Sequence, residues 1–556
     1  MEKFFIHIGL MIIGLAYVMP GHYLPWVSFH QQAATTLGFF LVASPALLTA
    51  KKLFLHSPLV AFVFAMALTP LLQWSAGSIT FSSDALICAL YLSLFSLSIL
   101  AGATLTDKHD TGWLGAFYLT LVCAATVSTL IATLQWLGFS FGWIIADVPP
   151  ASRPFANLGQ ANQLATLLCM GLVAIAGLFE LRRLGPLAAA FLAMCLAFGL
   201  VLTQSRTGLL NVLALLAWYA LGRRKSKLRM TLPVVLAGGI LFLTAALLWP
   251  FIDHVSSLPT EVINERLQVG PREAIWRSLA HAALQEPWLG YGWNQIGKAL
   301  TAETTLLSDG MRYTQSAHNL LLDLAIWVGI PIGLAAGLIL YGNVIQQALK
   351  CDNSNSWVLL SGTGVILIHS LLEYPLEYTY FLLPMGLMLG AIHRINGKYS
   401  NYKIPRFLVL CGTALAGTAS IIVALQYFPL EESARQSQLA AMGIGDFEES
   451  KYLLERATAL DAPREYIRFW STPARANMTN EEISKMKDVA ERNPTPPVLL
   501  RFAIAQALNA NPHGATKTLS KICKIHIPLR CTEAKHAWEA AIQKYPALAT
   551  ISFPSM

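Results

Sequence analysis

The stretch Pro186–Thr203 reads PLAAAFLAMCLAFGLVLT, a run without a single charge, and Arg206 follows only three residues later. A helix needs about 20 apolar residues to cross the hydrocarbon core of a membrane. Similar runs recur along the chain, and of its 556 residues 55% are hydrophobic and only 13% are charged. Soluble domains carry about 25% charged residues, so the composition excludes a soluble protein and predicts an integral membrane protein.

Thirteen apolar segments predict an all-α, polytopic membrane helix bundle, because helices satisfy their own backbone hydrogen bonds inside lipid. The spans are expected near residues 4–20, 34–50, 58–73, 85–105, 112–135, 161–180, 186–203, 208–221, 231–251, 318–345, 356–372, 376–392 and 406–428. They divide the chain into an N-terminal transmembrane bundle (1–251), a large polar loop (252–317), C-terminal transmembrane helices (318–428) and a soluble helical domain (429–556).

The distribution of basic residues predicts the orientation of these spans, because short cytoplasmic loops are enriched in lysine and arginine. Alternate connections share this enrichment; they carry Lys51, Lys52, Lys108, Arg182, Arg183, Arg223, Arg224, Lys225, Lys227, Arg229, Lys350, Arg394, Lys398, Lys403 and Arg406. The short connections on the other side hold only Arg153 and Arg206. We therefore expect a cytoplasmic N-terminus and a C-terminus outside. The net charge of +8 mostly reflects this topology and gives no reason to expect nucleic acid as a partner.

The C-terminal domain is expected to consist of amphipathic helices. Residues 438–461, with a turn at Gly445-Asp446, are typical of one tetratricopeptide-like hairpin, and a second hairpin is expected near 498–510 and 532–543. Such a domain either caps the membrane bundle or binds a protein partner. Cys523 and Cys531 lie close together in a part expected outside, which favours a disulfide over free thiols or metal ligands.

Arg206 is a charge at the end of an apolar span, on the side that otherwise avoids arginine. A charge at a helix centre costs about 2.5 to 3.5 kcal/mol, and less near the interface, so an anionic partner is expected. Either the guanidinium snorkels to lipid phosphates, or it holds a ligand phosphate or pyrophosphate, whose oxygens match its planar donors.

A second polar outlier starts at Arg153 and reads RPFANLGQANQ. Its four amides either cap and join helices or bind sugar hydroxyls, which donate and accept hydrogen bonds as amides do. The candidates for substrate contacts are Arg153, Asn157, Gln160 and Gln163.

The loop 252–317 is long for a membrane protein, so a functional role is expected. It carries Arg266, Arg272 and Arg277 and leads into Ser316-Ala317-His318-Asn319. A lone histidine at a helix start is commonly a cap. His318, however, follows an arginine-rich loop outside the membrane, where an imidazole can act as a general base toward a hydroxyl. Asp323 is the less favoured candidate for orienting its ring.

Glu373, Tyr374 and Glu377 form a further polar cluster on the outer side. They either line a wet cavity or solvate the end of a helix, and the sequence leaves both interpretations open.

Together these motifs resemble those of the O-antigen ligase and O-antigen polymerase superfamily, and within it the bacterial protein O-oligosaccharyltransferases of the PglL type. The broad match rests on Gln204 to Gly208, Arg272 to Trp276, Pro287 to Gly292 and Ala317 to Asn319. The narrower match rests on Pro154 to Gln163, on Glu373 to Leu376 and on a helical outside domain.

The resemblance implies a transferase of the bacterial inner membrane that needs neither metal nor cofactor, with the loop and the C-terminal domain in the periplasm. It would move a glycan from undecaprenyl pyrophosphate to a serine or threonine of a periplasmic protein such as type IV pilin, with inversion. Arg206 and Arg272 would stabilise charge, with Arg277 in reserve, and His318 would activate the hydroxyl. The residues expected to contact substrate are Arg153, Asn157, Gln160, Gln163, Arg266, Arg277, Asn319, Glu373 and Tyr374.

Other acceptors fit the same machinery. Lipid A core would make the chain an O-antigen ligase, and another glycan repeat would make it an O-antigen polymerase. A transporter or lipid flippase is a more distant alternative. Transporters usually show repeated halves and polar residues at the membrane midplane, whereas the polar residues here gather at one face.

Overall fold

The computed structural model describes residues 1–50, 53–54, 58–109, 111–149, 152–252, 270–302, 313–397, 403–442, 444 and 448–554. Arg266 and the turn predicted at Gly445-Asp446 lie outside these residues. In the described part, helices dominate, and the only pairing of strands joins β1 (Leu53–Phe54) to β2 (Lys403–Ile404) in antiparallel orientation. The predicted all-helical class therefore holds apart from this two-residue ladder.

The helices follow the apolar segments of the sequence closely. In the first part of the chain they are α1 (Glu2–Ala16), α2 (Phe29–Thr49), α3 (Pro58–Met66), α4 (Thr69–Ser75), α5 (Ser82–His109), α6 (Leu114–Trp136), α7 (Ala161–Glu180), α8 (Pro186–Thr203), α9 (Arg206–Gly222) and α10 (Leu232–Ile252). They continue with α11 (Gly270–Gln285), α12 (Ile296–Ala302), α13 (Leu320–Val328), α14 (Ile330–Lys350), α15 (Ser354–Ser370), α16 (Thr379–Asn396), α17 (Arg406–Ala441), α18 (Glu448–Glu455), α19 (Asp461–Ser471), α20 (Asn480–Arg492), α21 (Pro496–Leu508), α22 (Pro512–Ile525) and α23 (Pro528–Lys544).

Within the described residues, nine helical segments are long and apolar enough to cross a membrane, so the chain is a multi-pass membrane protein. They are Phe29–Thr49, Pro58–Ser75, Ser82–Asp107, Leu114–Trp136, Ala161–Glu180, Pro186–Thr203, Leu232–Trp249, Ile330–Lys350 and Arg406–Ala440. Some segments predicted as spans are shorter helices, such as α1 with 15 residues and α9 with 17. The count of thirteen spans stays a prediction.

The segment predicted as one span over 318–345 is instead two helices, α13 and α14, which are separated at Gly329. Gly329 has φ +82°, and an added Cβ would collide with the carbonyl of Trp288. The amide of Ile330 donates to Pro287 O at 2.7 Å. The loop motif at Gly290 supplies a further partner of this break, since the amide of Tyr291 donates to Ile326 O at 2.7 Å. Hydropathy misses the break because both helices are apolar.

The chain forms two compact units. The first consists of Met1–Ala67, Leu90–Leu267 and Leu338–Ile421. In it α1 packs on α2 with backbone close to backbone, because a Cβ on Gly9 would lie 2.5 Å from Gly38 O. Close packing of small residues is a common way for membrane helices to associate. Helix α7 is the most buried of its apolar spans, with 78% of the span inside the protein. The residues at its N-terminus are therefore held by several neighbours.

The second unit consists of Leu68–Ala89, Gln268–Gly337 and Ile422–Met556. Its core is built mainly by α19 to α23, with Trp538, Val498 and Leu519 almost fully buried. Cys523 and Cys531 form a disulfide, which confirms the predicted pairing. Helix α22 lies between the two segments predicted as the second hairpin and packs on both α21 and α23. The predicted hairpin is wrong because it omits α22. This helix is amphipathic, and its polar face lowers the hydropathy of the segment, so an apolar run does not mark it. The tetratricopeptide interpretation stays a prediction.

Two carboxylates fasten the N-terminus of α5 to the C-terminal helices of the second unit. Asp84, which is 3% exposed, accepts from Nε and Nη2 of Arg492 at 2.7 Å each. Asp461 accepts from the amides of Ser82 and Ser83 at 2.9 and 2.8 Å. Burial raises the pKa of Asp461, but the hydrogen bonds from Ser83 and Ser82 outweigh it, so the pKa lies below its usual value. The Asp461 carboxylate is therefore ionised at neutral pH, as the amides that donate to it favour.

Candidate active site

In the first unit, Arg206 stands at a sharp turn between two helices. Gln204 ends α8 in the left-handed region, with φ +45°, and Ser205 then caps α9 by accepting from the amide of Gly208 at 3.0 Å. Arg206 is the first residue of α9 and is exposed. The positive end of the helix dipole and the guanidinium thus share one place, which suits an anion.

The amides that follow Pro154 meet the cluster after α15, although more than 200 residues separate them. Gln160 Nε2 donates to the hydroxyl of Tyr374 at 2.7 Å, and Asn162 Nδ2 donates to Glu373 Oε1 at 3.0 Å. Gln163 Nε2 donates to Gln160 Oε1 at 3.2 Å. The structure therefore brings Gln160, Gln163, Glu373 and Tyr374 together. We call these residues, with Asn162, the amide cluster.

The amide cluster is also joined to the turn that carries Arg206. Ser205 Oγ donates to Asn162 Oδ1 at 2.7 Å, and Arg153 Nη1 donates to Gln204 O at 3.0 Å. Three segments that are distant in sequence thus form one polar network in the first unit. A network of fixed donors and acceptors next to an arginine can hold a polar ligand with a defined orientation.

Asn157 belongs to the same loop but has a different task. Its side chain is fully buried, donates to Val18 O and Ile144 O, and accepts from the amide of Ala146. Both of its N–H groups and its oxygen are thus bonded to backbone groups, as expected for a residue that fixes loops. This placement favours a structural role for Asn157 over the predicted contact with substrate.

In the second unit, His318 sits on a tight turn before α13 and has φ +52°. Asp323, which is 2% exposed, accepts from Ser316 Oγ at 2.8 Å and from the amide of Ala317 at 2.7 Å. Trp276 on α11 donates its indole N–H to Ala317 O at 2.8 Å. These bonds hold both backbone groups of Ala317, the residue before His318, so a fixed backbone positions the half-buried imidazole. We call residues 316–318 the histidine turn.

The arginines of the large loop are placed differently from one another. Arg272 is half-buried and lies one helical turn before Trp276, so both side chains share a face of α11. Arg277 lies on another face, where it pairs with Glu273 at 2.8 Å, and the two side chains are 76% and 65% exposed. The geometry supports Arg272 over Arg277 as the arginine associated with the histidine turn.

Asn319 is the N-cap of α13. Its Oδ1 accepts from the amides of Leu321 and Leu322 at 3.1 and 3.2 Å. Its side-chain oxygen is thus occupied by the helix, which favours capping over the predicted contact with substrate.

Sequence reasoning underrated three residues of these networks. Asp323 was the less favoured partner of the histidine turn, because sequence spacing cannot show that the chain folds back over α13. Asn162 and Trp276 lie inside the motifs that carry the family resemblance, but neither is among the residues predicted to contact substrate or to act in catalysis. Their positions at a helix start and one turn after Arg272 were the available signals. Among the described residues, no three His, Cys, Asp or Glu side chains gather as a metal site.

Three protein families match segments of this chain. The O-antigen ligase family matches residues 191–337, which include Arg206, Arg272 and His318. The family described as protein glycosylation ligase matches residues 154–176, which include the amides of α7 and its preceding loop. A family described as the C-terminal part of a virulence factor membrane-bound polymerase matches residues 357–540.

Curated relatives agree with these families. A general O-oligosaccharyltransferase of Acinetobacter baylyi is 29% identical over 417 residues, which cover 71% of this chain and 71% of that protein. A ComP-specific O-oligosaccharyltransferase of the same organism is 27% identical over 413 residues, which cover 72% and 75%. An O-antigen ligase of Pseudomonas aeruginosa is 28% identical over 198 residues, which cover 34% and 44%.

The multi-pass helical fold and the polar networks on the matched segments define a membrane-bound enzyme that transfers glycans. Within that class, the matched families and relatives support an O-oligosaccharyltransferase of the PglL type from the O-antigen ligase superfamily. The family and the enzyme class expected from the sequence are confirmed. The transporter alternative is not supported.

Proposed function

We propose that the chain transfers an oligosaccharide from undecaprenyl pyrophosphate to a serine or threonine hydroxyl of a periplasmic protein, with type IV pilin as the expected acceptor. The observation that carries the proposal is the similarity to a general O-oligosaccharyltransferase over 71% of the chain. The protein glycosylation ligase match at 154–176 supports a protein acceptor over lipid A core.

For the donor, we assign the leaving pyrophosphate to Arg206 and Arg272. The pyrophosphate is a good leaving group, so the enzyme must mainly neutralise the charge that develops on it. Arg206 suits this role because it is exposed at the positive end of α9. The amide cluster, together with Arg153, would orient the first sugars through their hydroxyls. Arg266 and Arg277 are expected to add positive charge around the donor.

For the acceptor, we assign activation of the hydroxyl to His318. The hydroxyl oxygen attacks the anomeric carbon, its proton passes to the imidazole, and the bond from that carbon to the pyrophosphate oxygen breaks. Attack in line with the leaving group inverts the anomeric configuration, and no metal is required. Asp323 is a positioning residue in this scheme, because it holds the histidine turn and not the reacting atoms.

The proposal includes an orientation in the bacterial inner membrane. With the predicted thirteen spans and the lysine- and arginine-rich loops in the cytoplasm, the N-terminus would lie inside and the C-terminal domain in the periplasm. The disulfide Cys523–Cys531 supports this orientation, since disulfides persist in oxidising compartments.

The test is glycosylation in a Gram-negative host that supplies a lipid-linked glycan, with pilin and lipid A core scored together. Wild type should glycosylate pilin, His318→Ala should abolish the product, and His536→Ala, which changes an exposed histidine on α23, should retain it. Glycan on lipid A core instead would make the chain an O-antigen ligase. Unchanged pilin glycosylation in His318→Ala would remove the role assigned to that residue.

A further inference from the structure

A pocket of the second unit lies where α12 of the large loop meets the C-terminal helices. Thr301 of α12 forms one wall, and residues of α20, α21 and α22 form the others. Leu499 and Phe502 of α21 form an apolar floor and are 2% and 6% exposed. None of these residues takes part in the hydrogen bonds that hold the histidine turn.

The rim of this pocket is basic. Lys487 on α20 and Lys517 and Lys521 on α22 face the same space, and Glu491 is the acidic residue among the lining side chains. Glu491 lies 3.6 Å from Lys487, which leaves the two lysines of α22 without a matching carboxylate in the lining. Lys517 and Lys521 are one helical turn apart, a spacing at which like charges destabilise a helix.

The surroundings of Lys521 increase this imbalance. Burial lowers the pKa of Lys521, Glu491 raises it by a smaller amount, and Lys517 and Lys487 lower it again. A bound anion would offset the cost of burying the Lys521 ammonium and its repulsion by Lys517 and Lys487, because an opposite charge favours the ammonium form.

We propose that this pocket, which we call the lysine pocket, binds acidic side chains of the acceptor protein on a segment beside the glycosylated hydroxyl. This inference rests on the proposed protein acceptor. A basic rim over an apolar floor fits a peptide with carboxylates and an apolar residue. The hydroxyl of Thr518, which donates to Gln506 at 2.8 Å, places an amide group at the same rim for hydrogen bonds to a peptide backbone.

The chain itself connects the lysine pocket to the reaction. Thr301 lies on α12 within the large loop, between the helix that carries Arg272 and the turn that carries His318. An acceptor segment held against this loop would be restrained while its hydroxyl reacts, which raises its effective concentration. Charges on a pocket rim are also expected to steer an acidic partner during encounter.

The experiment uses the full chain in detergent with a donor that carries a neutral glycan, so that the donor contributes no sugar acid. Two pilins serve as acceptors; one has four acidic residues beside the acceptor serine and the other has four lysines. For wild type, we expect a lower KM for the acidic pilin. Lys517→Glu/Lys521→Glu should raise that KM about tenfold, lower the KM for the basic pilin, and leave kcat unchanged.

The matched control is Lys535→Glu/Lys544→Glu, which makes the same change of charge on exposed positions of α23 outside the pocket. This control should leave both KM values within about twofold of wild type. The difference between the wild-type KM values for the two pilins should also decrease when the salt concentration rises from about 0.1 M to 1 M, because the screening length falls from about 10 Å to about 3 Å.

If Lys517→Glu/Lys521→Glu does not raise the KM for the acidic pilin and lower the KM for the basic pilin, the proposed lysine pocket is overturned. An equal effect of the Lys535→Glu/Lys544→Glu control would overturn it as well, because net charge alone would then explain the preference. If wild type glycosylates neither pilin, the proposed function fails instead. The pocket is then judged by fluorescence anisotropy with a labelled acidic peptide, whose binding the charge-reversal variant must abolish and the control must keep.

Discussion

Asp323→Ala is the substitution that examines most directly how the histidine turn works. The carboxylate accepts two hydrogen bonds, from Ser316 Oγ at 2.8 Å and from the amide of Ala317 at 2.7 Å. Ser316 and Ala317 are 1% and 0% exposed, so water cannot readily replace the lost acceptor. The variant would therefore leave two buried donors unsatisfied, directly before a residue whose backbone has φ +52°.

The size of the effect follows from these two bonds. A hydrogen bond to a charged group contributes about 1.5 to 3 kcal/mol, so the turn loses about 3 to 6 kcal/mol of local stabilisation. Each 1.4 kcal/mol corresponds to about a factor of ten. Part of the loss will be recovered as the loop relaxes, and we expect kcat/KM to fall about 100-fold. Asp323→Asn keeps one acceptor oxygen for the amide of Ala317 and should lose only about tenfold.

The assay is the initial rate of glycosylation of a purified acceptor, measured in detergent with a lipid-linked oligosaccharide. Ser316→Ala removes the bond to Asp323 and the acceptor of the His318 amide at 3.1 Å, but it keeps the bond from the Ala317 amide to Asp323. Its rate should lie between those of wild type and Asp323→Ala. Thermal unfolding of each variant separates a lost turn from a lost fold. A rate for Asp323→Ala within threefold of wild type would refute the positioning role, and so would an Asp323→Asn variant as impaired as Asp323→Ala.

Substitutions at four further residues address other parts of the molecule. Arg206→Ala should lower kcat by at least about 100-fold, and Arg206→Lys, which keeps the charge but loses the planar fork, should recover only part of it in the same rate assay. Tyr374→Phe removes the acceptor of the Gln160 amide and should raise the KM for the donor about fivefold with little change in kcat; an unchanged KM would exclude a donor contact. Arg492→Ala leaves buried Asp84 unpaired and should destabilise the second unit by about 3 kcal/mol in denaturant unfolding, whereas a variant as stable as wild type would contradict the bidentate pair. The pKa of Asp461 in the folded protein lies below its usual value of 3.8. The carboxylate therefore stabilises the fold above that pH, and this contribution is lost as the pH falls further. The difference in unfolding temperature between wild type and Asp461→Asn should narrow below pH 3.8.

Much of the site could be expected from the sequence because polar residues are conspicuous in an apolar chain. Gln160, Tyr374 and Arg206 each interrupt long apolar stretches, and burying such groups without partners is costly. That cost favours contacts between polar outliers, and the structure joins Gln160 to Tyr374 at 2.7 Å. Hydropathy could not separate an amide proposed to bind substrate from a structural one, since Gln160 and Asn157 have the same chemistry and differ only in what surrounds them.

The sequence by itself determined the membrane-spanning class, the candidate arginines and histidine, and the disulfide partners, because these depend on local composition and on residue type. Only the tertiary structure decided how the chain breaks at Gly329, that Asp323 holds the histidine turn, and that α22 lies between α21 and α23. These features depend on contacts between different segments of the chain, and the apolar pattern within one helix does not show which segments meet. A carboxylate selects its partners by geometry and burial, and both exist only after the chain has folded.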